Sequence, residues 1–142
     1  MHYEIITPEL ITLQRCITCL NVAFARINDN ERESAFQSMV NDLMTGAACW
    51  YHVTGQSIDV HVITRVTDDN ELFIDAIAGK GMMIVGADII KKSMNMGYQS
   101  IGYETVIPAM RRMLARLGFE CVKTYPTGET IHKRVLAGMY VE

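Results

Sequence analysis

Leu72-Phe73-Ile74-Asp75-Ala76-Ile77-Ala78-Gly79-Lys80-Gly81-Met82-Met83-Ile84-Val85-Gly86-Ala87 is the stretch on which the fold turns. Glu71–Ile77 is apolar and rich in strand formers, and it reads as a β-strand. At Ala78-Gly79-Lys80-Gly81 the strand pattern breaks. From Met82 the period becomes helical, with Met83, Ile84, Ala87, Ile90 and Met94 on the inward stripe. Gly97 is placed to end this helix, and Tyr98–Val106 is again extended. A strand, a helix and a second strand in this order imply a parallel pair joined by a crossover.

Upstream, three extended runs follow one another at Ala47–Val53, Ile58–Val66 and Glu71–Ile77, separated by the turns Thr54-Gly55-Gln56-Ser57 and Thr67-Asp68-Asp69-Asn70. They read as an antiparallel meander, and Ile58–Val66 alternates with Ile58, Val60, Val62 and Thr64 on one side. Before the meander, Met1–Thr7 gives a short strand. Thr7-Pro8-Glu9 opens a helix carrying Leu10, Leu13, Ile17, Leu20 and Phe24 and ending near Ile27, with Thr7 as cap. Asn28-Asp29-Asn30 is expected to turn, with Asn30 and Glu33 forming a capping box for a second helix. Its inner face is Ala35, Phe36, Met39, Val40 and Leu43, and Gly46 ends it.

Downstream, Pro108 opens a helix with Met110, Met113, Leu114 and Leu117 inward, closed by Gly118. Cys121–Tyr125 and Thr130–Leu136 form a last hairpin around Pro126-Thr127-Gly128. The order is β-α-α-β-β-β-α-β-α-β-β, a mixed α/β (α+β) architecture expected to form one domain over residues 1–142.

Composition narrows the function classes. Hydrophobic residues make up 49% and charged residues 20%, which fits a globular chain. A net charge of −3 supplies no general basic field for nucleic acid, and Lys91-Lys92 and Arg111-Arg112 read as solvated helix faces. No segment reaches the ~20 apolar residues of a membrane span. The start Met1-His2-Tyr3-Glu4 lacks a basic leader, so the expected location is cytoplasmic. Cys16-x-x-Cys19 lies within a helical pattern without a second pair, so the four cysteines are expected to be buried free thiols, with no metal. The ten methionines read chiefly as adaptable core filler.

The element order resembles the GNAT N-acetyltransferase fold over nearly the whole chain. Two local features carry the resemblance: the strand-loop-helix Leu72–Met94, and Pro108–Phe119 ending in Arg116-Leu117-Gly118-Phe119. The resemblance implies acetyl-CoA as cofactor, bound at Ile77, Gly79, Lys80, Gly81, Met82 and Met83, because a helix N-terminus directs several N–H groups and a favourable dipole at a pyrophosphate. The family pattern Gln/Arg-x-x-Gly-x-Gly/Ala falls on Ala78–Met83. Gly81 matches the central glycine, while Ala78 replaces the opening basic or amide residue and Met83 the last small one. Met83 either crowds the pyrophosphate or turns into the core.

The implied reaction is acetyl transfer to the amine of a small molecule or protein. The family's usual acid, a Tyr, is replaced by Leu114, and the Asn that often opens its helix by Ile107. Tyr103 and Tyr125 are the substitute acids. Asp75 is the first candidate base and Glu104 the second. His52 and His61 read as surface or satisfied core histidines. Walker, His-Glu-x-x-His and Gly-x-Ser-x-Gly motifs are absent from the sequence. The chain is also similar to small GNAT-like proteins encoded among tailed-phage virion genes. That resemblance implies a catalytically degenerate protein with a virion partner, or a homo-oligomer.

Overall fold

A computed structural model describes residues 1–11, 13–20 and 29–136, the side chains of 13, 14, 16, 17, 29, 30 and 32 excepted. The order is β1 (His2–Ile5), a 3-10 turn (Pro8–Leu10), α1 (Leu13–Leu20), α2 (Asp29–Thr45), β2 (Cys49–Gly55), β3 (Ile58–Val66), β4 (Glu71–Lys80), α3 (Met82–Met96), β5 (Ser100–Thr105), α4 (Pro108–Arg116), β6 (Glu120–Thr124) and β7 (Thr130–Val135). The strands form one sheet in the order β1-β2-β3-β4-β5-β7-β6. The expected mixed α+β order therefore holds.

Several boundaries differ from the sequence reading. The first helix does not run on from Pro8. A 3-10 turn ends at Leu10, Ile11 returns to extended backbone, and α1 begins afresh at Leu13. Thr7 takes the cap position but makes no side-chain cap bond. Asp29 and Asn30 are already inside α2, so they neither turn nor cap it. Phe24, Ile27 and Asn28 lie outside the described residues.

The described chain divides into two compact units. The first comprises Met1–Arg65 with Ala76–Met82. Here β1, β2 and β3 pair antiparallel, with His52 opposite His61 and Glu4 opposite His52. Gln56-Ser57 is a two-residue connection, tighter than the four-residue turn expected, because Gly55 pairs directly with Ile58. The core gathers Leu20, Phe36, Met39, Leu43, Trp50 and Ile63 with Ala76 and Ala78 of β4. Phe36, Met39 and Leu43 are buried as the α2 periodicity requires.

The second unit comprises Val66–Asp75 and the chain from Met83 onward. β4 pairs parallel with β5, Glu71 opposite Ser100 through Ile74 opposite Tyr103. β7 then inserts antiparallel between β5 and β6. Glu71 is buried, accepts a hydrogen bond from Ser100 Oγ at 2.8 Å and pairs with Lys133 Nζ at 3.1 Å. Gly102 leaves room for it, since a Cβ there would lie 2.9 Å from Glu71 Oε1. Arg111 is not a purely solvated residue: its Nη2 donates to the carbonyl of Gly128 at 2.7 Å and ties α4 to the final hairpin. Cys121 is exposed and Cys19 and Cys49 are only half-buried, all free thiols, so the expectation of buried cysteines fails for these three, and the side chain of Cys16 lies outside the described ones. Among the described residues, no helix is long and apolar enough to cross a membrane.

Candidate functional site

The glycine-bearing junction is built differently from the sequence reading. β4 runs through Lys80 instead of stopping at Ile77, and α3 begins at Met82. Gly79 has φ +135°, and a Cβ on it would fall 2.1 Å from the carbonyl oxygen of Asp59. A Cβ on Gly81, at φ +91°, would meet Ile58 Cγ1 at 3.1 Å. Gly79 is therefore demanded by the approach of β4 to β3 and Gly81 by its positive φ, before any ligand is considered.

What remains for a ligand is the start of α3. Its first-turn N–H groups have no acceptor within the helix. No acidic residue stands in that turn, and exposed Lys80 precedes it. This donor set has the chemistry to hold a pyrophosphate through Lys80 and the backbone of Gly81, Met82 and Met83. Met83 does not turn into the core. It is 40% exposed, as Ile84 and Ala87 are also exposed, and the inward stripe is Val85, Gly86, Ile89, Ile90 and Ser93. The expected inward frame is corrected accordingly. Ile77 is buried at 3%.

Asp75 and Glu104 come next after the last β4–β5 partners, Ile74 and Tyr103, so strand alternation places both on the same face of this parallel pair. Asp75 is half-buried and Glu104 exposed. Tyr103 lies on the opposite face, 4% exposed and opposite His132 in the β5–β7 register. It is thus separated from the two carboxylates. Leu114, at the position of the family's Tyr, is fully in the core at 2% exposure. Tyr125 is half-buried, with Lys123 Nζ 4.7 Å above its ring.

A cluster that sequence reasoning passed over lies on β2 and β3. His52 Nε2 and Asp59 Oδ1 are 2.7 Å apart. The His52 and His61 rings stack at 4.1 Å with 9° between planes. Trp50 Nε1 donates to His61 Nδ1 at 3.0 Å. The bond from His52 holds the Asp59 carboxyl below its ordinary range, so Asp59 is the acceptor and His52 carries hydrogen on Nε2. Burial, and then the neighbouring His52, push the His61 pKa down and favour its neutral form. With Nδ1 accepting from Trp50, neutral His61 carries its hydrogen on Nε2. Arg15 of α1 lies 5.7 Å from the Trp50 ring centre and acts on His61. One donor atom of each of His52, Asp59 and His61 falls within 4.8 Å of the others. The two imidazoles are stacked parallel, which aims their in-plane lone pairs side by side, whereas zinc ligands converge on the ion at ~2.0–2.1 Å. The available signal was the hairpin register: a two-residue turn after Gly55 sets His52 against His61.

No protein-family profile matches the chain, and no curated protein matches it. Solved structures do. An acetyltransferase of Bacillus subtilis in complex with CoA superposes with a TM-score of 0.65 at 13% identity, over 95% of this chain and 98% of that one. The PaiA N-acetyltransferase of Thermoplasma acidophilum, in complex with coenzyme A, gives 0.64 at 11% identity over 95% and 99%. The ribosomal-protein-S18-alanine N-acetyltransferase of Escherichia coli gives 0.63 at 16% identity over 99% of each. The chain has the GNAT acetyltransferase fold. Identities this low carry the fold and nothing finer. These neighbours lend no support to the virion resemblance.

Proposed function

We propose that the chain transfers an acetyl group from acetyl-CoA to an amine. The observation that carries this reading is the start of α3, a helix N-terminus without acidic residues and preceded by exposed Lys80. The two CoA complexes among its structural neighbours support it. Acetyl-CoA supplies the activated acetyl thioester. The backbone N–H groups of Gly81, Met82 and Met83, with Lys80, hold the pyrophosphate. The N–H of Ile77 is the donor for the thioester carbonyl oxygen, where negative charge develops. Asp75, with Glu104 on the same face, receives the proton released as the amide forms. Tyr103 is the sequence-based substitute acid. Its burial away from that face argues against the role.

A second reading is a catalytically degenerate GNAT-fold protein that binds a partner, such as a virion component or another copy of itself. Buried Leu114 in place of the family's Tyr, and Met83 in place of a small residue, favour it. Thermal unfolding with and without acetyl-CoA separates the two. A ligand present well above its dissociation constant must raise the midpoint. No shift at millimolar acetyl-CoA removes the enzyme reading.

A further inference from the structure

The sheet ends in β1 on one side and β6 on the other, and the two end strands are built differently. β6 carries a bulge between Cys121 and Lys123 and presents that lysine to solvent, and both features hinder the addition of a further strand. β1 keeps an unbroken register with β2 from His2 to Ile5 and contains neither lysine nor proline. Met1 continues the same line, since a Cβ on Gly55 would lie 3.6 Å from its Cα.

Hydrogen bonding fixes which backbone groups look outward. Ile6 N donates to the Trp50 carbonyl at 2.9 Å, one step beyond the pair Ile5–Tyr51. In an antiparallel ladder, a residue bonded to its partner strand alternates with one whose N–H and C=O point the other way. His2, Glu4 and Ile6 therefore address β2, and Met1, Tyr3 and Ile5 address the outer edge. Side chains alternate between the faces. His2 and Glu4 share the face of Thr54 and His52. Tyr3 and Ile5 lie on the other, where the Tyr3 ring meets Tyr51 edge-on at 6.3 Å. Met1 and Ile5 are 54% and 56% exposed, and His2 and Glu4 are exposed as well.

We propose that two copies of the chain join through β1, antiparallel, about a two-fold axis at Tyr3. The axis runs normal to the sheet, so each residue opposes one on the same face of the other copy, and outward backbone groups meet outward backbone groups. Tyr3 then opposes Tyr3, Glu4 opposes His2, and Ile5 opposes Met1 of the second copy. The exposed apolar side chains of Ile5 and Met1 cover one another. The Glu4 carboxylate, which can only accept, meets an imidazole that donates. No neighbouring register does as well. A slip of one residue sets outward backbone groups against inward ones. A slip of two sets Glu4 against Glu4 or His2 against His2. The contact is short, so the dimer is a concentration-dependent equilibrium and not a permanent assembly. It is independent of the acetyltransferase reading.

Sedimentation equilibrium of the full chain, carried up to about millimolar concentration, is the test. The wild-type mass should rise from one chain toward two. Over the same range the Ile5 amide, which points away from β2, should gain protection from hydrogen exchange. Ile5→Lys alters an exposed position, so it should leave the melting temperature of the dilute protein unchanged while abolishing both effects. His2→Glu sets glutamates face to face on both sides of the axis and should weaken association about tenfold. Adding Glu4→Lys to that variant opposes lysine to glutamate and should restore it. Protein that stays a single chain at every concentration overturns the proposal. So does a dimer that Ile5→Lys leaves intact, because it uses another surface. Failure of Glu4→Lys to rescue His2→Glu overturns it as well.

Discussion

Trp50 donates its indole hydrogen to His61 Nδ1 at 3.0 Å, and this single bond decides the tautomer of a histidine in the middle of the β2–β3 pair. Two-bond proton–nitrogen NMR spectra should show His61 as the Nε2–H form near neutral pH. An Nδ1–H form would contradict the bond.

The same residue gives a pH prediction. The pKa values of His61 and His132 both lie below the ordinary 6.5, His61 through burial and His52, His132 through burial and Arg111. For such groups the unfolded chain binds more protons than the folded one as pH falls, so stability is lost. The loss begins near the unfolded pKa and levels off below the folded values. Urea unfolding should therefore show a midpoint that falls from neutral to mildly acid pH. His132→Asn should flatten part of that dependence.

Gly79→Ala should be far more damaging than Gly46→Ala. Both positions have positive φ, +135° and +83°, but a Cβ at Gly46 meets nothing within 4 Å while one at Gly79 strikes the Asp59 backbone. The backbone strain alone costs about 1–2 kcal/mol. The added clash should bring Gly79→Ala to about 3 kcal/mol or more. Denaturant unfolding of the two variants measures the difference.

Lys80 and Met83 test the nucleotide end of the proposed site. Lys80→Glu should weaken the acetyl-CoA stabilisation about tenfold in affinity, an effect of about 1.4 kcal/mol. Met83→Ala keeps helix propensity and removes an exposed side chain from the first turn of α3. It should strengthen binding if Met83 crowds the pyrophosphate. An unchanged affinity would show that the side chain stays clear of it.

Ser100→Ala should cost about 1–3 kcal/mol, because it strips a hydrogen bond from the buried Glu71 carboxylate. Lys133→Ala should cost about 0–1 kcal/mol, since its side chain is 41% exposed. Thermal unfolding of the pair of variants checks the ranking.

The order of elements was legible because Ile58–Val66 alternates, and because Phe36, Met39 and Leu43 in α2 and Met110 and Leu114 in α4 recur at helical spacing. The frame of α3 was not. Met82, Met83, Ile84 and Val85 are apolar in succession, so periodicity alone does not choose the inward stripe. The end of β4 was misread for a tertiary reason. Gly79 looks like a strand breaker, yet it sits in a strand because Asp59 leaves no room for a side chain. Asp75 was legible as a carboxylate between Phe73 and Ile77 and Glu104 as one on the next strand, whereas their common face appears only in the β4–β5 register. His52, Asp59 and His61 did not, since 52, 59 and 61 acquire meaning only once Gly55 is paired with Ile58.

The insertion of β7 between β5 and β6 also governs how the chain can be made. Among the described residues, β6 has its sheet partner in β7 alone, and β5 keeps one edge bare until β7 arrives. During synthesis at ~5–20 residues per second, both strands wait for Thr130–Val135 to leave the ribosome. The nascent protein thus carries an open strand edge for about seconds. That interval, more than the finished fold, is when it is most exposed to mispairing with other chains and most in need of a chaperone.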